Sequence, residues 1–452
     1  MVDNSPVNSS SSDDFAAFLD TELDSTSDAS PEPEEDVNEI HNSDINRTKR
    51  QKIEVLESVS ATEVTDSTSE QETTKAIEVS VKEDQCTHPG VIGGMCMKCG
   101  EKIDTQSGVA FSYIHKDLRL ADDEIARLRD RDLKSLFARK KLCLVLDLDH
   151  TLLNSTHLAD LKQEEGHLLN SSDPIQDALR GSLFKLDYMN LMTKLRPFVH
   201  TFLKEASKLF EMYIYTMGER TYALKMADLL DPQMVYFSSR VIAQGDCTQR
   251  HQKGLDVVLG NENVVLILDD TEGVWGKHKD NLILMERYHY FASSCAQFGY
   301  TCQSLSELKS DESEADGALT TILELLKKIH NKFFDLEVGE DFAGRDVRKV
   351  LETVRSEVLK GCRILFSHVF PTKFQAKNHH LWKMAERLGA TCVTEVDPSV
   401  THVISTDVRT DKSRWAVQEK KYLVDPRWLE AANYRWHRQP EEQFPAKIRK
   451  SR

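Results

Sequence analysis

Two aspartates, one residue apart, follow an apolar run near the middle of the chain. The run is "KLCLVLDLDHTLLNST", residues 141–156, and the acidic pair is Asp147 and Asp149. Residues i and i+2 of an extended strand point the same way, so both carboxylates can face one site where the strand ends. An ionised carboxylate that is buried without a partner costs several kcal/mol. The pair therefore indicates a site that holds a cation or another compensating group.

Three further apolar runs lead into polar residues that suit the same site. Helical patterns such as "PFVHTFLKEASKLF" and "TYALKMADLL" lie between the runs, which indicates an α/β domain with a largely parallel sheet. Ligands of such sheets bind beyond the carboxyl ends of the strands. We therefore expect these residues to gather around the first acidic pair. They are Thr216 at the end of "MYIYT", Arg240 at the end of "VYFSSR" with Lys253 after a turn, and Asp269 and Asp270 after "VVLIL".

The chemistry that this set of groups supports is phosphoryl transfer. Asp147 serves as nucleophile and forms an acyl phosphate, which splits one difficult displacement into two easier ones. Asp149 can protonate the leaving oxygen and then activate the water that breaks the intermediate. The hydroxyl of Thr216 can hold a phosphoryl oxygen, and Lys253 can offset charge near the nucleophile. Because carboxylates that attack a phosphate dianion need a cation, we expect Mg²⁺ between Asp147 and Asp270, joined by the Asp149 backbone carbonyl.

These motifs, in this order, resemble the haloacid dehalogenase superfamily of phosphotransferases. The stretches "DLDHTLLNST" and "ILDDTEGVW" narrow the resemblance to the Fcp-type phosphatases that act on the carboxy-terminal domain (CTD) of RNA polymerase II. The stretch "YMNLMTKLRPFVHTFLKEA" also resembles the family's approach to its second motif. The resemblance covers residues 141–302, and the motif positions fall on Asp147, Asp149, Thr151, Thr216, Lys253, Asp269 and Asp270.

The resemblance implies a haloacid-dehalogenase-like Rossmannoid domain with a mainly parallel sheet and a minimal cap. It implies Mg²⁺ as cofactor, with Mn²⁺ or Co²⁺ able to take its place. The implied catalytic residues are Asp147, Asp149, Thr151, Thr216 and Lys253, and the implied metal ligands are Asp147, Asp149, Asp269 and Asp270. Thr216 and Lys253 are also the expected phosphate ligands, and Arg240 joins them only because of its place at the end of an apolar run.

Three residues near the motifs have a structural interpretation beside the functional one. Arg240 is either a phosphate ligand or a surface salt-bridge residue. Trp275 either packs in the core, which we favour, or walls the substrate. Cys143 lies inside a buried strand and is better interpreted as a small hydrophobe than as a nucleophile.

The segment between Thr151 and the "TKLRP" run bears on the size of the substrate. It has about 40 residues and is rich in polar residues, which is short for an independently folded cap. An open groove would suit an extended phosphopeptide, in agreement with the resemblance.

Residues 361–437 resemble a BRCT domain. The markers are "CRILFSHVF" as a first strand, a helix and strand joined at Gly389 in "WKMAERLGATCVTEV", and Trp428 in "YLVDPRWLEAANYRW". BRCT domains recognise phosphoproteins or other partner surfaces, and the phosphate-binding positions would fall on Ser367 and Lys412. A serine after a strand and a lysine that opens a helix are common without phosphate, so both interpretations stay open.

Residues 86–104 form a possible zinc knuckle. In "CTHPGVIGGMCMKCG", a C-x-H pair, Cys86 and His88, is separated by a Gly-rich turn from a C-x-x-C pair, Cys96 and Cys99. Two such pairs match a closed tetrahedral Zn²⁺ site with thiolate and imidazole ligands. The alternative is a group of reduced thiols without metal, since nine scattered Cys indicate a reducing compartment without structural disulfides.

The net charge of −16 comes from the N-terminal segment alone. Residues 1–85 hold 22 Asp and Glu against 6 Lys and Arg and only two aromatic residues, so we expect a disordered acidic tail, rich in Ser and Thr. The remaining residues carry 52 charges of each sign and show no basic stripe, which argues against direct nucleic-acid binding. The basic island at 47–52 is either a few solvated charges or a nuclear-import signal. The sequence has neither an apolar signal core nor an apolar run long enough for a membrane span.

We therefore divide the chain into five parts. They are the tail (1–85), the possible zinc knuckle (86–104), the phosphatase domain (105–302), a helical linker (303–358) and the BRCT domain (359–446). The resemblance implies a nuclear protein serine/threonine phosphatase that acts on the polymerase CTD and regulates transcription. It also implies the TFIIF large subunit, or a similar factor, as a partner of the BRCT domain and acidic regions.

Two other functions remain as alternatives. A phosphatase fold that has become a scaffold would have no need of the acid/base Asp149 or of the paired acids. A small-molecule phosphatase of the same superfamily would be expected to carry a larger cap.

Overall fold

The computed structural model describes residues 86–103, 108–169, 181–300, 302–335, 344–371 and 374–448. The predicted disordered tail and its basic island at 47–52 lie outside the described residues. None of the helices in these ranges combines the length and the apolar character that a membrane crossing requires.

A small antiparallel sheet and a long helix begin the described part of the chain. Their bounds are β1 Gly90–Ile92, β2 Met95–Cys96, β3 Val109–Ala110, β4 Leu118–Leu120 and α1 Asp122–Ala138. The strand order is β2-β1-β4-β3. Glycines at 93–94 close the first hairpin with positive φ at both positions, a conformation that glycine adopts without strain.

The central sheet is parallel, as the alternation of apolar runs and helical patterns predicts. The elements of this region are β5 Leu142–Leu146, β6 Leu153–His157, β7 Leu183–Leu186, β8 Leu191–Leu195, α2 Val199–Ala206, β9 Phe210–Tyr215, α3 Arg220–Leu230, β10 Val241–Ile242, β11 Val265–Asp269, β12 Leu282–Leu284 and α4 Ala292–Gln297. The strand order β10-β9-β5-β11-β12 places β5 between β9 and β11. All residues of β5 and β11 are buried, as expected for strands covered on both faces.

The insertion between the first acidic motif and α2 is small, in line with the minimal cap that we expected. Strands β6, β7 and β8 form an antiparallel sheet of order β6-β8-β7. Residues 170–180 of this insertion lie outside the described residues.

The segment predicted as a helical linker is part of the core. It contains α5 Ala318–Phe334 and α6 Val347–Ser356. Apolar side chains of both helices, such as Ile329 and Leu351, belong to the same buried cluster as β5 and β9. An amphipathic helix buries its apolar face wherever a complementary surface is available. We therefore extend the catalytic unit through these helices and correct the predicted linker.

A second parallel sheet forms the C-terminal domain. Its elements are β13 Arg363–Ser367, α7 His380–Arg387, β14 Thr391–Val393, β15 His402–Ser405, α8 Asp411–Gln418, β16 Tyr422–Val424 and α9 Arg427–Arg435. The strand order is β14-β13-β15-β16, and Trp428 is fully buried in its core. Gly389 has positive φ, and a Cβ there would collide with the carbonyl of Ser356, so the turn requires glycine.

Candidate active site

The first acidic pair lies where β5 leaves the sheet. Asp147 directly follows β5, and its N–H donates to the carbonyl of Leu268 on β11 at 3.0 Å. The chain then turns, because the N–H of Leu152 donates back to Leu148 and His150 adopts positive φ. This turn ends the strand and leaves Asp147 6% exposed at the carboxyl edge of the sheet.

Lys253 connects the first and the last acidic motifs. Its Nζ donates to Asp147 Oδ1 and to Asp269 Oδ2, both at 2.6 Å, and its side chain is almost fully buried. The indole N–H of Trp275 also donates to Asp269 Oδ2, at 2.8 Å. The fully buried Trp275 is thus a core residue, as we favoured, and it also orients the carboxylate that holds Lys253.

Three carboxylates could hold a metal ion. Oxygens of Asp147, Asp269 and Asp270 lie within 4.8 Å of one another, and hard oxygen ligands of this kind suit Mg²⁺. The Asp270 side chain is 6% exposed and accepts a hydrogen bond from Arg287 Nε at 2.5 Å. The Asp149 carboxylate, also predicted as a metal ligand, is not part of this group.

The charges at this edge do not balance. In the described residues, three of the four aspartates of the two motifs are paired with two cations: Asp147 and Asp269 with Lys253, and Asp270 with Arg287. Burial raises the pKa of Asp147 well above its usual range; Lys253 opposes this shift, and the neighbouring carboxylates add to it. Burial lowers the pKa of Lys253, but Asp147 and Asp269 outweigh burial and hold it above its ordinary value. Lys253 therefore stays charged, and a divalent cation would favour the ionised form of Asp147.

Asp149 is bound by a residue that the sequence analysis missed. Tyr222 Oη donates to Asp149 Oδ1 at 2.5 Å, and Thr216 Oγ1 donates to Asp149 Oδ2 at 3.4 Å. The Tyr222 hydroxyl also contacts Ser155 Oγ on β6 at 2.9 Å. Burial raises the pKa of Asp149, and the Tyr222 hydrogen bond partly opposes this shift. A raised pKa suits a general acid. The available clue was that α3 begins soon after Thr216, which brings its first turn to the same edge.

A buried arginine holds the loop after the acidic pair. Arg196 Nη1 donates to the carbonyls of Thr151 and Glu286, both at 3.0 Å. Its other nitrogens form a two-pronged pair with Glu312, at 2.9 and 2.7 Å. Thr151 is fully buried, and its hydroxyl has no hydrogen-bond partner among the described residues. The loop is therefore fixed through the Thr151 carbonyl rather than through its side chain.

Arg240 does not reach this site, so its prediction as a phosphate ligand is wrong. It donates to the carbonyls of Met212 and Tyr236, both at 3.0 Å, and lies 3.8 Å from Glu211. Glu211 and Met212 belong to the amino-terminal half of β9, away from the carboxyl edge. The alternative interpretation, a structural residue, is the one that the contacts support.

The reason for this error is that "VYFSSR" is not a strand. Strand β10 begins only at Val241, after Arg240. The carboxylate of Asp231 accepts hydrogen bonds from the N–H groups of 235–237, and Ser238 has positive φ. These features turn the chain where the apolar pattern predicts an extended segment.

The other two predicted sites have different outcomes. The ligand atoms of Cys86, His88, Cys96 and Cys99 come together, within 4.8 Å of one another. For the predicted BRCT pair, Ser367 Oγ contacts Thr410 Oγ1 at 2.7 Å, and Lys412 Nζ donates to the carbonyl of Thr394 at 2.8 Å. Each of the two groups thus has a partner within the domain, and phosphate binding by this pair stays a prediction.

Known proteins match both halves of this architecture. Residues 142–336 match the family of NLI interacting factor-like phosphatases, and residues 354–432 match the BRCA1 C Terminus (BRCT) domain. An experimental structure of Fcp1, an essential RNA polymerase II CTD phosphatase, shares the fold with a TM-score of 0.57 at 24% identity. The match covers 71% of this chain and 100% of that one. It confirms the haloacid-dehalogenase-like fold with a BRCT domain.

Two curated relatives from Arabidopsis thaliana have higher sequence identity. The chain is 57% identical to RNA polymerase II C-terminal domain phosphatase-like 4, over 98% of this chain and 97% of that protein. It is 40% identical to RNA polymerase II C-terminal domain phosphatase-like 3, over 71% of this chain and 26% of that protein. The chain therefore belongs to the family of RNA polymerase II C-terminal domain phosphatases.

Proposed function

We propose that this protein is a serine/threonine phosphatase that removes phosphate from the C-terminal heptad repeats of RNA polymerase II and thereby regulates transcription. The observation that carries the chemistry is the buried Lys253 between Asp147 and Asp269. This lysine holds one oxygen of the nucleophile and leaves the other for attack. Family membership supports the choice of substrate, because the relatives are named for it.

In the first step, Asp147 attacks the phosphorus of a phosphoserine with the oxygen that Lys253 does not hold. A bond forms between this oxygen and phosphorus, and the bond between phosphorus and the serine oxygen breaks. Asp149 gives its proton to the departing serine oxygen, which its raised pKa favours.

In the second step, Asp149 takes a proton from a water molecule that attacks the same phosphorus. The bond between phosphorus and Asp147 breaks, which releases inorganic phosphate and regenerates the carboxylate. Tyr222 and Thr216 hold the two oxygens of Asp149 in both steps. The charge of Lys253 compensates the negative charge on Asp147 and the transferred group.

We propose Mg²⁺ as the cofactor, with Mn²⁺ or Co²⁺ able to replace it. Asp147, Asp270 and the backbone carbonyl of Asp149 would hold the ion. The excess of buried carboxylates over cations at this edge supports a divalent cation there. When bound, the ion neutralises charge on the phosphoryl oxygens and positions them.

We further propose that the protein acts in the nucleus, where its substrate is located. The basic island at 47–52 would serve as the import signal. The BRCT domain and the acidic regions would bind the TFIIF large subunit or a similar transcription factor. The BRCT fold and the family membership support this role as a recruiting module.

The test uses the full-length protein and a synthetic phosphopeptide of the CTD heptad, with Mg²⁺ and with EDTA. Released phosphate is followed for the wild type, for Asp147→Asn, and for the matched control Asp411→Asn at an exposed aspartate of the BRCT domain. We expect Mg²⁺-dependent turnover in the wild type and the control, and none in Asp147→Asn.

The two other outcomes separate the substrate from the chemistry. Release from a small aryl phosphate but not from the phosphopeptide would keep the reaction and overturn the substrate. No release from either compound, by protein shown to be folded, would overturn the enzymatic function.

A further inference from the structure

The hairpin of β1 and β2 brings two pairs of metal-binding side chains together. Val91 pairs with Cys96 across the glycine turn at 93–94. The same register continued outward places His88 opposite Cys99, and Cys99 Sγ indeed lies 3.5 Å from His88 Nδ1. A two-residue turn fixes this register, so the short loop between the two ligand pairs is what brings them opposite each other.

The C-x-x-C segment turns around the sulfur of its first cysteine. The N–H of Lys98 points at Cys96 Sγ at 3.4 Å, and the N–H of Gly100 donates to the carbonyl of Cys96 at 2.9 Å. Gly100 has a φ of +77°, which lets the chain reverse directly after Cys99. Backbone N–H groups directed at a sulfur favour the thiolate, which is the form that binds metals.

The second nitrogen of His88 has the partner that metal-binding histidines use. While Nδ1 faces the sulfur of Cys99, Nε2 lies 3.6 Å from a carboxylate oxygen of Glu101. A carboxylate at this position fixes the ring and its tautomer and leaves the other nitrogen for the metal.

We propose that Cys86, His88, Cys96 and Cys99 bind one structural Zn²⁺. Their ligand atoms lie within 4.8 Å of one another. Two sulfurs at about 2.3 Å from a tetrahedral zinc are about 3.8 Å apart, so only small shifts are needed to close the site. Three thiolates and one imidazole fill the coordination shell and leave no position for water. The zinc therefore stabilises the fold and takes no part in phosphoryl transfer.

The zinc-bound hairpin also supports the segment that carries the catalytic lysine. Strand β1 pairs with β4, which leads into α1. Arg129 on α1 donates to carbonyls within 255–258. Tyr113, which lies between β3 and β4, donates through Oη to the carbonyl of Val257 at 2.9 Å. These carbonyls follow closely after Lys253. Loss of zinc would loosen this support without touching the catalytic residues.

The test measures zinc in the purified full-length protein after dialysis against a weak chelator. Elemental analysis compares the wild type with Cys99→Ser. The matched control is Cys302→Ser, an exposed cysteine outside the group, and Asp270→Asn reports zinc held by the carboxylates. We expect about one zinc per chain in the wild type and both controls, and at least a tenfold loss in Cys99→Ser.

A conservative variant guards against a trivial folding failure. His88→Cys keeps four ligands and is expected to retain zinc. When Co²⁺ replaces zinc, the wild type and His88→Cys should both show the visible absorption of a tetrahedral thiolate site. The zinc site is overturned if the wild type holds no zinc, if Cys99→Ser keeps it, or if Asp270→Asn loses it.

Hydrogen exchange tests the support of the lysine segment. Amides at 253–258 should exchange faster in Cys99→Ser than in the wild type and in Cys302→Ser. Unchanged exchange there, with zinc lost, would overturn this second part and leave the zinc site standing.

Discussion

Two parallel sheets of this chain end in polar residues, but the two edges differ in charge. At the catalytic edge, β5 and β11 lead into Asp147 and Asp269, whose carboxylates are buried. At the BRCT edge, β13 and β15 end at Ser367 and Ser405, which are buried and neutral. The topology is of the same kind, so the residue types at the strand ends make the difference.

The hydroxyl groups of the BRCT edge form hydrogen bonds with one another. Ser367 Oγ contacts Thr410 Oγ1 at 2.7 Å, and Ser413 Oγ donates to Ser405 Oγ at 2.9 Å. The carboxylates of the catalytic edge cannot do this, because ionised carboxylates only accept hydrogen bonds and repel one another. A neutral network is complete without a ligand, whereas the buried like charges call for a cation. The comparison shows that carboxylates make the first edge a candidate active site, whereas hydroxyls leave the second edge neutral.

The largest effect is expected from removal of the cation at the catalytic edge. Lys253→Met leaves Asp147 and Asp269 buried without their partner, which costs about 3–5 kcal/mol of unfolding free energy. Turnover should fall by about 10³-fold or more, because the charge on the nucleophile is no longer compensated. Denaturant unfolding and phosphate release measure the two effects.

The matched control for this variant is a lysine at the BRCT edge. Lys412→Met removes a cation whose contact is the carbonyl of Thr394, so stability should change by less than about 1 kcal/mol and turnover should be unchanged. Equal losses of stability and turnover in Lys253→Met and Lys412→Met would contradict the proposed difference between the two edges.

Tyr222→Phe tests whether the hydrogen bond from Tyr222 sets the pKa of Asp149, the proposed general acid. The variant removes the hydrogen bond that partly lowers the pKa of Asp149, so this pKa rises further. The alkaline limb of the profile of kcat/KM against pH should then move to higher pH, with turnover lowered about tenfold. A loss of activity with an unmoved pH profile would assign Tyr222 to packing alone.

Acid sensitivity should differ between two histidines, one in each region, whose pKa is lowered by partial or full burial. Burial lowers the pKa of His289, near the catalytic edge, to about 3, with His150 and Arg287 adding to the shift. In the BRCT domain, burial also lowers the pKa of His402, but Glu441 at 3.1 Å opposes the shift.

The sign of the effect follows from proton binding by the unfolded chain. An unfolded histidine titrates near about 6.5, so below that pH the unfolded state binds a proton that the folded state does not. Stability is full above about 6.5 and falls towards pH 3 by at most about 1.4 kcal/mol per pH unit. His289→Gln should flatten the fall of the thermal midpoint between about pH 7 and 5 more than His402→Gln does. The reverse order would contradict the burial argument.

The smallest effect is expected at the hydroxyl network. Ser367→Ala removes one neutral hydrogen bond, so stability should fall by about 1 kcal/mol and phosphatase activity should stay within about twofold. Thermal unfolding and phosphate release provide the measurement. A large loss of activity would show that this edge takes part in catalysis.

The sequence was sufficient to predict much of the catalytic edge because its information is local. Asp147, Asp149, Asp269 and Asp270 directly follow apolar runs, and the period of those runs predicts strands. Lys253 was also predicted, although its contact with Asp147 joins positions far apart in the chain. Lys253 was assigned to the site from the order of the motifs along the chain, because the apolar periodicity gives no sign of its contact with Asp147.

The parts that were missed depend on contacts that no local pattern encodes. Tyr222 acts through a partner on another element, Asp149, so its sequence context gives little sign of a role. Arg240 was misplaced because the Asp231 carboxylate turns an apolar run that would otherwise be extended. The amphipathic pattern of 303–358 predicts helices, but it does not indicate which core they cover.

The central claim is that Asp147 carries the phosphoryl group during turnover. An aryl phosphate with a good leaving group makes hydrolysis of the intermediate the slow step, so the full-length protein is mixed with it and quenched in acid within one turnover. Borohydride then reduces an acyl phosphate to an alcohol, and peptide mapping identifies the changed residue. The account predicts homoserine at position 147 in the presence of substrate and unchanged aspartate in its absence. Phosphate release with position 147 unmodified would contradict it, because water would then attack the phosphorus directly.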